Sequence, residues 1–448
     1  MVQGPLLIVI LVAAIAFIVL ATTRLRLHPF IALLVAAYGI GFSARMPLLE
    51  IDKTVAQGFG GILAYIGIVI VLGTVIGTIL EKSGAAVTMA ETILKVVGPK
   101  RPALAMSLIG YIVSIPVFCD SGYVILSSLK RSLGKKAGVS AVTMSIALAT
   151  GLYATHTLVP PTPGPIAAAG SLGMGSQLGL VILFGLGIAI VTAGVGYLWA
   201  VFCGKKLQCA EDFAPAPEEE AFSAKLPAPF WAFSPIFVPI LLIALGSVAA
   251  FPTHPFGGAG TQKAVLFLGQ PLNALLVGLL FCMKLLPNFS RETLTGWFEE
   301  GLKGAAVIIL ITGAGGALGA VLKATPIGDY LGQTLCQWKL GILLPFIIAA
   351  SLKTAQGSST VALVTTSALV APLLGALGLG SDVGRVLTVM AIGAGAMTVS
   401  HANDSYFWVV SQFSGMDVAT AYRSHTVATL LQGLATIAVV GLLALVLV

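Results

Sequence analysis

The chain has 448 residues, of which 57% are hydrophobic and only 9% are charged, and its formal net charge is +7. Soluble domains carry about 25% charged residues, so this composition excludes a sizeable soluble domain and predicts an all-α, polytopic membrane protein. The positive charge is too dilute to favour a nucleic-acid partner. The five cysteines lack any metal-binding spacing, and neither a metal nor another cofactor is expected.

Apolar runs of nearly membrane-spanning length dominate the first half. The N-terminal run lacks a basic leader and a cleavage site, which predicts a retained helix rather than a signal peptide. A short amphipathic piece precedes the third run. Helices are predicted at about residues 5–22, 28–43, 60–80, 139–154 and 177–202, and a further helix begins near residue 102.

Two polar breaks interrupt the first half. The segment SIPVFCDSG (Ser114 to Gly122) interrupts the helix that begins near Pro102, and THTLVPPTPGP (Thr155 to Pro165) follows the helix at residues 139–154. The four prolines of the second segment prevent a regular helix there. In hydrocarbon, a broken helix is tolerated only where protein or a water-filled cavity satisfies its backbone. Such breaks therefore point to a transport site, with a plain loop as the alternative.

The second half has a similar plan. Residues 209–229 contain the polar, proline-rich run EDFAPAPEEE, which predicts a solvated cytoplasmic linker. This linker would join an N-terminal repeat (1–208) to a C-terminal repeat (230–448). Two further polar breaks are predicted, at Thr354 to Thr360 and at Ser400 to Ser405. Spans are predicted at about residues 233–251, 265–285, 304–321, 340–352, 386–399 and 427–448.

The order of basic residues and breaks predicts an inverted repeat. Basic clusters such as Lys130 to Lys136 mark the cytoplasmic side, and the spans then number about seven per half. An odd number reverses the orientation of the second half. The alternative is that the pieces beside each break are re-entrant hairpins rather than full passes. Direct comparison places SIALATGLYATH on MAIGAGAMTVSH, with His156 on His401 at an offset of 401 − 156 = 245.

Asp120 and Asp404 are the carboxylates inside the breaks. An ionisable residue at membrane depth is costly and indicates a functional site, here proton coupling, whereas the alternative is an N-cap role at a helix start. His156 and His401 could donate to a substrate oxygen or carry protons, or they could be buried structural residues. Two histidines without a thiolate cluster do not suggest a zinc site.

Two small polar segments are predicted to meet an anion. Ser121 and Gly122 lie in the first segment, and Gln356 to Thr360 form the second. The free N–H groups at helix N-termini attract anions, and hydroxyls and amides suit a row of substrate hydroxyls. Close helix packing through small residues is the alternative. Lys353 could neutralise a substrate carboxylate or could snorkel to the interface.

Four stretches resemble the signature sequences of the gluconate:proton symporter (gluconate permease, GntP-type) family. They are FCDSGYVIL, THTLVPPTPGPIAAAG, QGSSTVA and SHANDSYFW, and the similarity extends nearly from end to end. The resemblance implies a proton-coupled secondary transporter of the bacterial inner membrane that imports gluconate or a closely related small hydroxylated carboxylate. It also implies two inverted-topology repeats with paired re-entrant hairpins and broken helices, as in elevator-type members of the wider ion transporter superfamily.

The candidate site combines the polar breaks with positions that match the family. Asp404, Asp120 and His401 are the candidates for proton coupling. The predicted substrate-binding residues are Asp120, Ser121, Gly122, His156, Thr157, Thr162, Gly164, Lys353, Gln356, Gly357, Ser358, Ser359, Thr360, His401 and Asn403.

The chain departs from the family pattern at Thr162, Asp120, Ser121 and Lys353, where many members have histidine, glutamate, valine and arginine respectively. A same-fold permease for D-serine, glycerate or 3-hydroxybutyrate is therefore an alternative.

A membrane-embedded hydrolase is disfavoured because the sequence has no HExxH or GxSxG motif. A channel is disfavoured because duplicated broken helices favour alternating access. The expected partners are a small anionic sugar acid or hydroxy acid, protons and membrane lipid. The oligomeric state, with a homodimer as one candidate, stays open.

Overall fold

In the computed structural model, every regular element in the described residues is helical. The structure describes the chain except for residues 1, 3, 99–100, 214–225, 250–258, 327–340 and 402–403. The helices of the first part are α1 (Leu6–Thr23), α2 (Pro29–Ser43), α3 (Leu48–Lys82), α4 (Ala85–Val97), α5 (Pro102–Val113), α6 (Cys119–Ala137), α7 (Ala141–Leu158), α8 (Pro163–Ser171), α9 (Leu178–Cys203) and α10 (Ala210–Phe213).

The described helices of the second part follow the same general order of long and short elements. They are α11 (Pro229–Ala249), α12 (Ala259–Leu268), α13 (Pro271–Cys282), α14 (Phe298–Ala324), α15 (Leu343–Gln356), α16 (Ser359–Val370), α17 (Asp382–Met397), α18 (Ser405–Phe413), α19 (Val418–Ala421) and α20 (Val427–Leu447).

Five of the described helical segments are long and apolar enough to cross a membrane, and the number rises to seven if each of two bent pairs counts as one span. The described helices that meet this criterion are fewer than the sequence predicts, which is about seven passes in each half. One reason is the length of the helices beside the breaks. α5 and α16 have 12 residues each, or about 18 Å of helix, against a hydrocarbon core about 30 Å thick. These short helices cannot each form a pass.

A single helix of 35 residues, α3, replaces the separate amphipathic piece and span predicted around residue 60. It bends by 47° near its middle. α3 packs antiparallel to α14, since Gly58 meets Gly316 near one end and Lys82 Nζ lies 2.6 Å from Glu300 Oε2 near the other. Small residues let the backbones of α3 and α14 approach closely. This contact favours a continuous α3 that runs along α14.

α7 lies inside the molecule, and all of its 18 residues are buried. It is held between α5 and α9 by glycines. A Cβ on Gly110 of α5 would lie 2.7 Å from the carbonyl oxygen of Leu148, and a Cβ on Gly185 of α9 would lie 2.5 Å from that of Leu158. Only glycine permits such close backbone approach. The end of α7, which carries His156, is therefore fixed by packing on two sides.

The start of the linker is bound to the protein rather than solvated. Glu211 of α10 is buried, and its Oε2 lies 2.9 Å from Nζ of the buried Lys130. Asp212 Oδ1 accepts a hydrogen bond of 2.6 Å from the backbone N–H of Ala141, the first residue of α7. A buried lysine requires such an anionic partner. The expectation of a solvated tether is wrong for these two acids, and the remaining acidic run at 218–220 lies outside the described residues.

The last span begins earlier than predicted, at Val418 rather than at Val427, a difference of 427 − 418 = 9 residues. α19 continues into a π-helical turn at Tyr422–Thr426 and then into α20. The polar residues at this turn are not typical of a membrane-spanning helix, so the sequence predicts a later start. A π-helical turn inserts a residue and changes which side chains face the protein. Here it brings Ser424 and His425 into the interior.

The glycine contact between α5 and α7 generates a stability prediction. We expect Gly110→Ala to lower the melting temperature, because its Cβ would lie 2.7 Å from backbone atoms of α7, and overpacking of this kind costs about 1–3 kcal/mol. Gly187→Ala in α9 is the matched control, since a Cβ there meets nothing within 4 Å. Thermal unfolding in detergent measures both. Equal melting temperatures for the two variants would contradict the packing described here.

Candidate functional site

A buried ion pair joins α15 to the connection between α17 and α18. Lys353 Nζ lies 2.5 Å from Asp404 Oδ2, and the two side chains are 1% and 5% exposed. Lys353 also donates to the carbonyl oxygen of Gly357, and its Nζ lies 5.8 Å from the ring centre of Tyr153. A buried charge is costly unless it is paired. Lys353 is thus held inside the protein by these partners and does not extend to its surface.

Asp404 combines the two roles that the sequence left as alternatives for a carboxylate in a break. It is the N-cap of α18, and its Oδ1 accepts a hydrogen bond of 3.1 Å from the backbone N–H of Tyr406. Its Oδ2 accepts from Ser400 Oγ at 2.5 Å as well as from Lys353. An N-cap carboxylate fixes the start of its helix. The charge of Lys353 is therefore linked to the position of α18.

Asp120 lies in the first turn of α6, inside a helix rather than in the break where it was predicted. Its Oδ2 accepts a hydrogen bond of 3.4 Å from Ser405 Oγ, the first residue of α18. Its Oδ1 is buried without a hydrogen-bond partner among the described residues. The charges of Asp404 and Lys353 both act on Asp120. Two carboxylates and one ammonium group thus share this part of the interior.

Tyr153 of α7 lies between the ion pair and the other polar residues. Its ring stacks on His156 at 6.4 Å and contacts Tyr406 at 5.0 Å between centroids. Its hydroxyl group donates to the carbonyl oxygen of Ala396 at 3.5 Å and lies near Ser359 at the start of α16. Sequence reasoning missed Tyr153 because it lies in an apolar helical run. Its spacing of three residues from His156, which places both on one helix face, is the signal that could have found it.

The proline-rich break is shorter than predicted, because α7 runs to Leu158 and α8 begins at Pro163. Proline is tolerated in the first turn of a helix, where its missing N–H would have no partner in any case. Thr162 precedes α8, and its Oγ1 donates to the carbonyl oxygens of Val159 at 2.6 Å and His156 at 3.1 Å. Thr162 thereby satisfies carbonyl groups that the break leaves free.

The break between α15 and α16 contains only Gly357 and Ser358. Gly357 has a φ of +87°, a left-handed conformation that favours glycine, and it ends α15. Ser358 caps α16, and its Oγ accepts a hydrogen bond of 3.3 Å from the backbone N–H of Val361. Thr360 follows in the first turn of α16 and lies against Gly164. The start of α16 thus faces the start of α8.

The other predicted residues take varied positions. Ser121 lies near the carboxylate of Glu81, and Gly122 packs against Leu152. Thr157 Oγ1 donates to the carbonyl oxygen of Tyr153 at 3.2 Å, within its own helix.

His156 is buried and its Nδ1 has no hydrogen-bond partner in the described part of the chain. His401 Nε2 lies 3.0 Å from the carbonyl oxygen of Thr354. The side chain of Gln356 and all of Asn403 lie outside the described residues. Within the described ranges, no group of three or more His, Cys, Asp and Glu side chains could hold a metal ion.

Direct contacts bring the four breaks together. Lys353 and Asp404 join the α15–α16 pair to the α17–α18 connection. Ser405 and Asp120 join that connection to the start of α6. Gly164 and the first turn of α16 join the α7–α8 connection to the same group. The polar residues of both halves therefore meet in one region.

A cavity of about 800 Å³ lies apart from the ion pair, between α3 and α14 on one side and the ends of α8 and α16 on the other. Glycines of α3 and α14, including Gly58 and Gly316, form one wall. Lys323 and Arg385 also line it, and no carboxylate is among its lining residues. The cavity is therefore positively charged.

The chain is similar to known permeases over nearly its whole length. The family described as GntP family permease matches residues 6–447. The gluconate permease of Pseudomonas aeruginosa is 34% identical over 429 residues, which are 93% of this chain and 92% of that protein. The D-serine transporter DsdX of Escherichia coli strain K12 is 32% identical over 438 residues, 96% of each chain.

The chain belongs to the GntP permease family. As a member, this permease is a transport protein rather than an enzyme. It is a multi-pass protein of the bacterial inner membrane, and a further relative is named as an inner membrane permease in Escherichia coli. The resemblance first noted in the four signature stretches is thus confirmed.

A solved structure shares the fold of this permease. The YdaH transporter of Alcanivorax borkumensis superposes with a TM-score of 0.66 at 16% sequence identity, covering 89% of this chain and 88% of that one. At this identity the likeness concerns the fold alone. It agrees with the all-helical fold that the apolar sequence predicted.

The Lys353–Asp404 pair generates a stability prediction for the permease. We expect Lys353→Met and Asp404→Asn each to destabilise the protein by about 3–5 kcal/mol, because each leaves one buried charge unpaired. Asparagine keeps the N-cap of α18, so the second change removes mainly the charge. The double variant should recover much of the loss, since no buried charge then remains.

Thermal unfolding in detergent measures this cycle. Lys303→Met is the matched control, because Lys303 is 75% exposed and pairs with Glu299 at 3.0 Å on one helix face; exposed pairs contribute at most about 1 kcal/mol. Strictly additive effects of the two substitutions at Lys353 and Asp404 would show that the two charges do not interact.

Proposed function

We propose that this permease is a proton-coupled symporter that imports gluconate or a closely related small hydroxylated carboxylate. The observation that carries the proposal is the buried Lys353–Asp404 ion pair at the meeting point of the four breaks. A cation at membrane depth is what an anionic substrate needs, and the carboxylate on that cation is a group that a proton can neutralise. The similarity to a gluconate permease supports the same substrate class.

The ion pair suggests how substrate and proton bind together. Asp404 occupies the position on Lys353 that a substrate carboxylate would take. A proton on Asp404 would remove its attraction to Lys353 and leave a buried, unpaired cation, which is unfavourable. A substrate carboxylate would then replace Asp404 on Lys353. Binding of the anion and binding of the proton therefore favour each other, which is the thermodynamic requirement of symport.

Asp120 strengthens the argument for a proton. With both carboxylates ionised, Asp120, Asp404 and Lys353 carry a net charge of −1 in a region where unpaired charge is costly. One added proton brings this local charge to zero. A bound substrate carboxylate would add one negative charge, which one further proton would offset. Asp404, Asp120 and His401 are the proposed proton-coupling residues.

The start of α16 supplies a place for the rest of the substrate. The N–H groups of a helix N-terminus favour negative charge and accept oxygen ligands. Ser358, Ser359 and Thr360 surround this N-terminus, with Gly164 across from it. In this proposal, hydroxyl groups of a sugar acid lie between α16 and the α7–α8 break, while its carboxylate lies on Lys353.

The proposal includes an inverted repeat. Each part contains a long helix (α3, α14), a pair of helices around a break (α5–α6, α15–α16) and a broken helix (α7–α8, α17–α18), in that order. The antiparallel packing of α3 on α14 agrees with opposite orientations. Residues 1–208 and 230–448 would then be the two repeats, and the helix pairs α5–α6 and α15–α16 would be re-entrant hairpins. In an elevator motion, α3 and α14 would form the fixed part beside the positively charged cavity.

A carrier of D-serine is the second candidate, because the identity to DsdX is close to that with the gluconate permease. A zwitterion would place its carboxylate on Lys353 and its ammonium group on Asp404. Both buried charges would then be paired without a proton on Asp404. The charge of the substrate thus decides how strongly transport depends on protons.

Uptake into proteoliposomes tests the leading proposal. Labelled gluconate should accumulate when an inward proton gradient is imposed and should cease to accumulate when an uncoupler is added, because Asp404 must be protonated before the anion binds. Lys353→Met should abolish this uptake, whereas Lys303→Met, at an exposed lysine, should not. Accumulation that persists with the uncoupler would remove proton coupling from the proposal.

Competition in the same assay tests the substrate class. Unlabelled gluconate should reduce uptake more than D-serine, glycerate or 3-hydroxybutyrate at equal concentration, because only the longer acid can reach both Lys353 and the hydroxyls at the start of α16. Stronger competition by D-serine would instead favour the zwitterion arrangement. A non-hydroxylated carboxylate of similar length is the control for the hydroxyl contacts.

A further inference from the structure

A chain of hydrogen bonds leads from Asp404 to a histidine outside the predicted site. Ser400 Oγ donates to Asp404 Oδ2 at 2.5 Å, and His425 Nε2 lies 3.2 Å from the same Ser400 Oγ. An ionised carboxylate can only accept, so the single hydroxyl proton of Ser400 lies toward Asp404. The hydroxyl oxygen must then accept from His425, which assigns the proton of the neutral imidazole to Nε2.

Ser400 is held in place on every side. Its backbone N–H donates to Thr429 Oγ1 at 2.9 Å, and its carbonyl oxygen accepts from Thr426 Oγ1 at 2.7 Å. Both threonines belong to the last span and follow His425 in the helix, Thr426 directly and Thr429 one turn later. The hydroxyl of Ser400 therefore has a fixed position between the imidazole and the carboxylate.

His425 has features that a packing residue does not require. It is fully buried, and its Nδ1 has no hydrogen-bond partner among the described residues. An unsatisfied buried acceptor is unfavourable. The residue lies on the π-helical turn at Tyr422–Thr426, a type of irregularity frequent at functional sites.

The surroundings of His425 contain few groups that could exchange protons with it. The ring of Tyr406 lies 5.3 Å away in an edge arrangement and that of Phe407 lies 6.4 Å away. The charges that act on it are those of Asp404 and Lys353. In the described part of the chain, the hydrogen bonds of Ser400 connect His425 to Asp404.

We propose that His425 and Ser400 form a proton relay that loads and unloads Asp404. This inference rests on the proposed function, because it names the path of the coupled proton. The path is separate from the space between Lys353 and the start of α16, where the substrate is proposed to bind. A proton could therefore reach Asp404 without crossing the substrate.

The proton balance of the relay is simple. An incoming proton binds Nδ1 of His425, and Nε2 gives its proton to Ser400 Oγ. Ser400 gives its original hydroxyl proton to Asp404 Oδ2. One proton has entered and one has reached Asp404, Ser400 is again a neutral hydroxyl, and the imidazole is neutral as the Nδ1–H tautomer. Only N–H and O–H bonds change.

Two transport assays on proteoliposomes separate proton transfer from substrate binding. Exchange of labelled for unlabelled gluconate with all gradients collapsed needs no net proton movement, because a proton already on Asp404 can stay there while one anion replaces another. Accumulation under an inward proton gradient requires Asp404 to be loaded and unloaded in every cycle. We expect His425→Gln to keep exchange within about twofold of the wild type but to reduce accumulation at least about tenfold, because the amide can donate to Ser400 but cannot be protonated near neutral pH. Ser400→Ala, which removes the middle group, should show the same separation.

His28→Gln is the matched histidine control, since His28 is exposed at the N-terminus of α2, where its side chain accepts from the backbone N–H of Phe30. It should behave as the wild type in both assays. Unchanged accumulation in either relay variant would overturn the proposal, and so would a parallel loss of exchange and accumulation in both, since that result marks a structural role. If His425→Gln does not fold, Ser400→Ala decides. Failure of the wild type to respond to the gradient would instead refute proton coupling itself.

Discussion

The ion pair between Lys353 and Asp404 determines how the parts of this protein are joined. Its two residues lie 51 positions apart in the chain and belong to two different breaks. Asp404 also caps α18, and Lys353 also binds the carbonyl oxygen of the Gly357 that ends α15. The pair therefore connects the charge state of one carboxylate to the positions of two helix ends. Neutralising that carboxylate would loosen both ends together.

The ion pair lies next to α7, a helix that is closely packed on both sides. α7 is buried along its whole length, and glycines on α5 and α9 allow it to approach both neighbours at backbone contact. Tyr153 extends from this helix toward Lys353, Ser359 and Tyr406. Because close-packed interiors transmit displacement rather than absorb it, a shift at the pair would reach the start of α16 through Tyr153.

Much of this architecture could be predicted from the sequence. The membrane class follows from composition, and the four polar breaks were found in the correct places because prolines, glycines and polar residues are rare in lipid. Their lengths were overestimated. Pro163 and Pro165 lie in the first turn of α8, where proline is tolerated, and Cys119 already belongs to α6. Composition marks a break but does not locate the first hydrogen bond of the next helix.

The partners of the polar residues could not be predicted in the same way. Asp404 and Lys353 were each singled out, but no sequence rule pairs two residues so far apart. Tyr153 and His425 escaped notice because each lies within a helical segment, where a polar side chain looks like a packing residue. Glu211 was taken for part of a solvated run because its neighbours are polar, whereas its partner Lys130 is supplied by another helix.

The two buried lysines, Lys130 and Lys353, differ in how completely their ammonium groups are bound. An ammonium group has three donors. Lys130 Nζ has four oxygen partners, on Ser145, Glu211, Ser414 and the carbonyl of Phe413, so its capacity is used completely. Lys353 Nζ has two, on Asp404 and Gly357, in the described part of the structure. Among the described residues, Lys353 thus has fewer oxygen partners than Lys130, and one of them is a carboxylate whose attraction a single proton can cancel. The arrangement around Lys130 fixes a helix, while the arrangement around Lys353 is the one in which the proposed mechanism exchanges one anion for another.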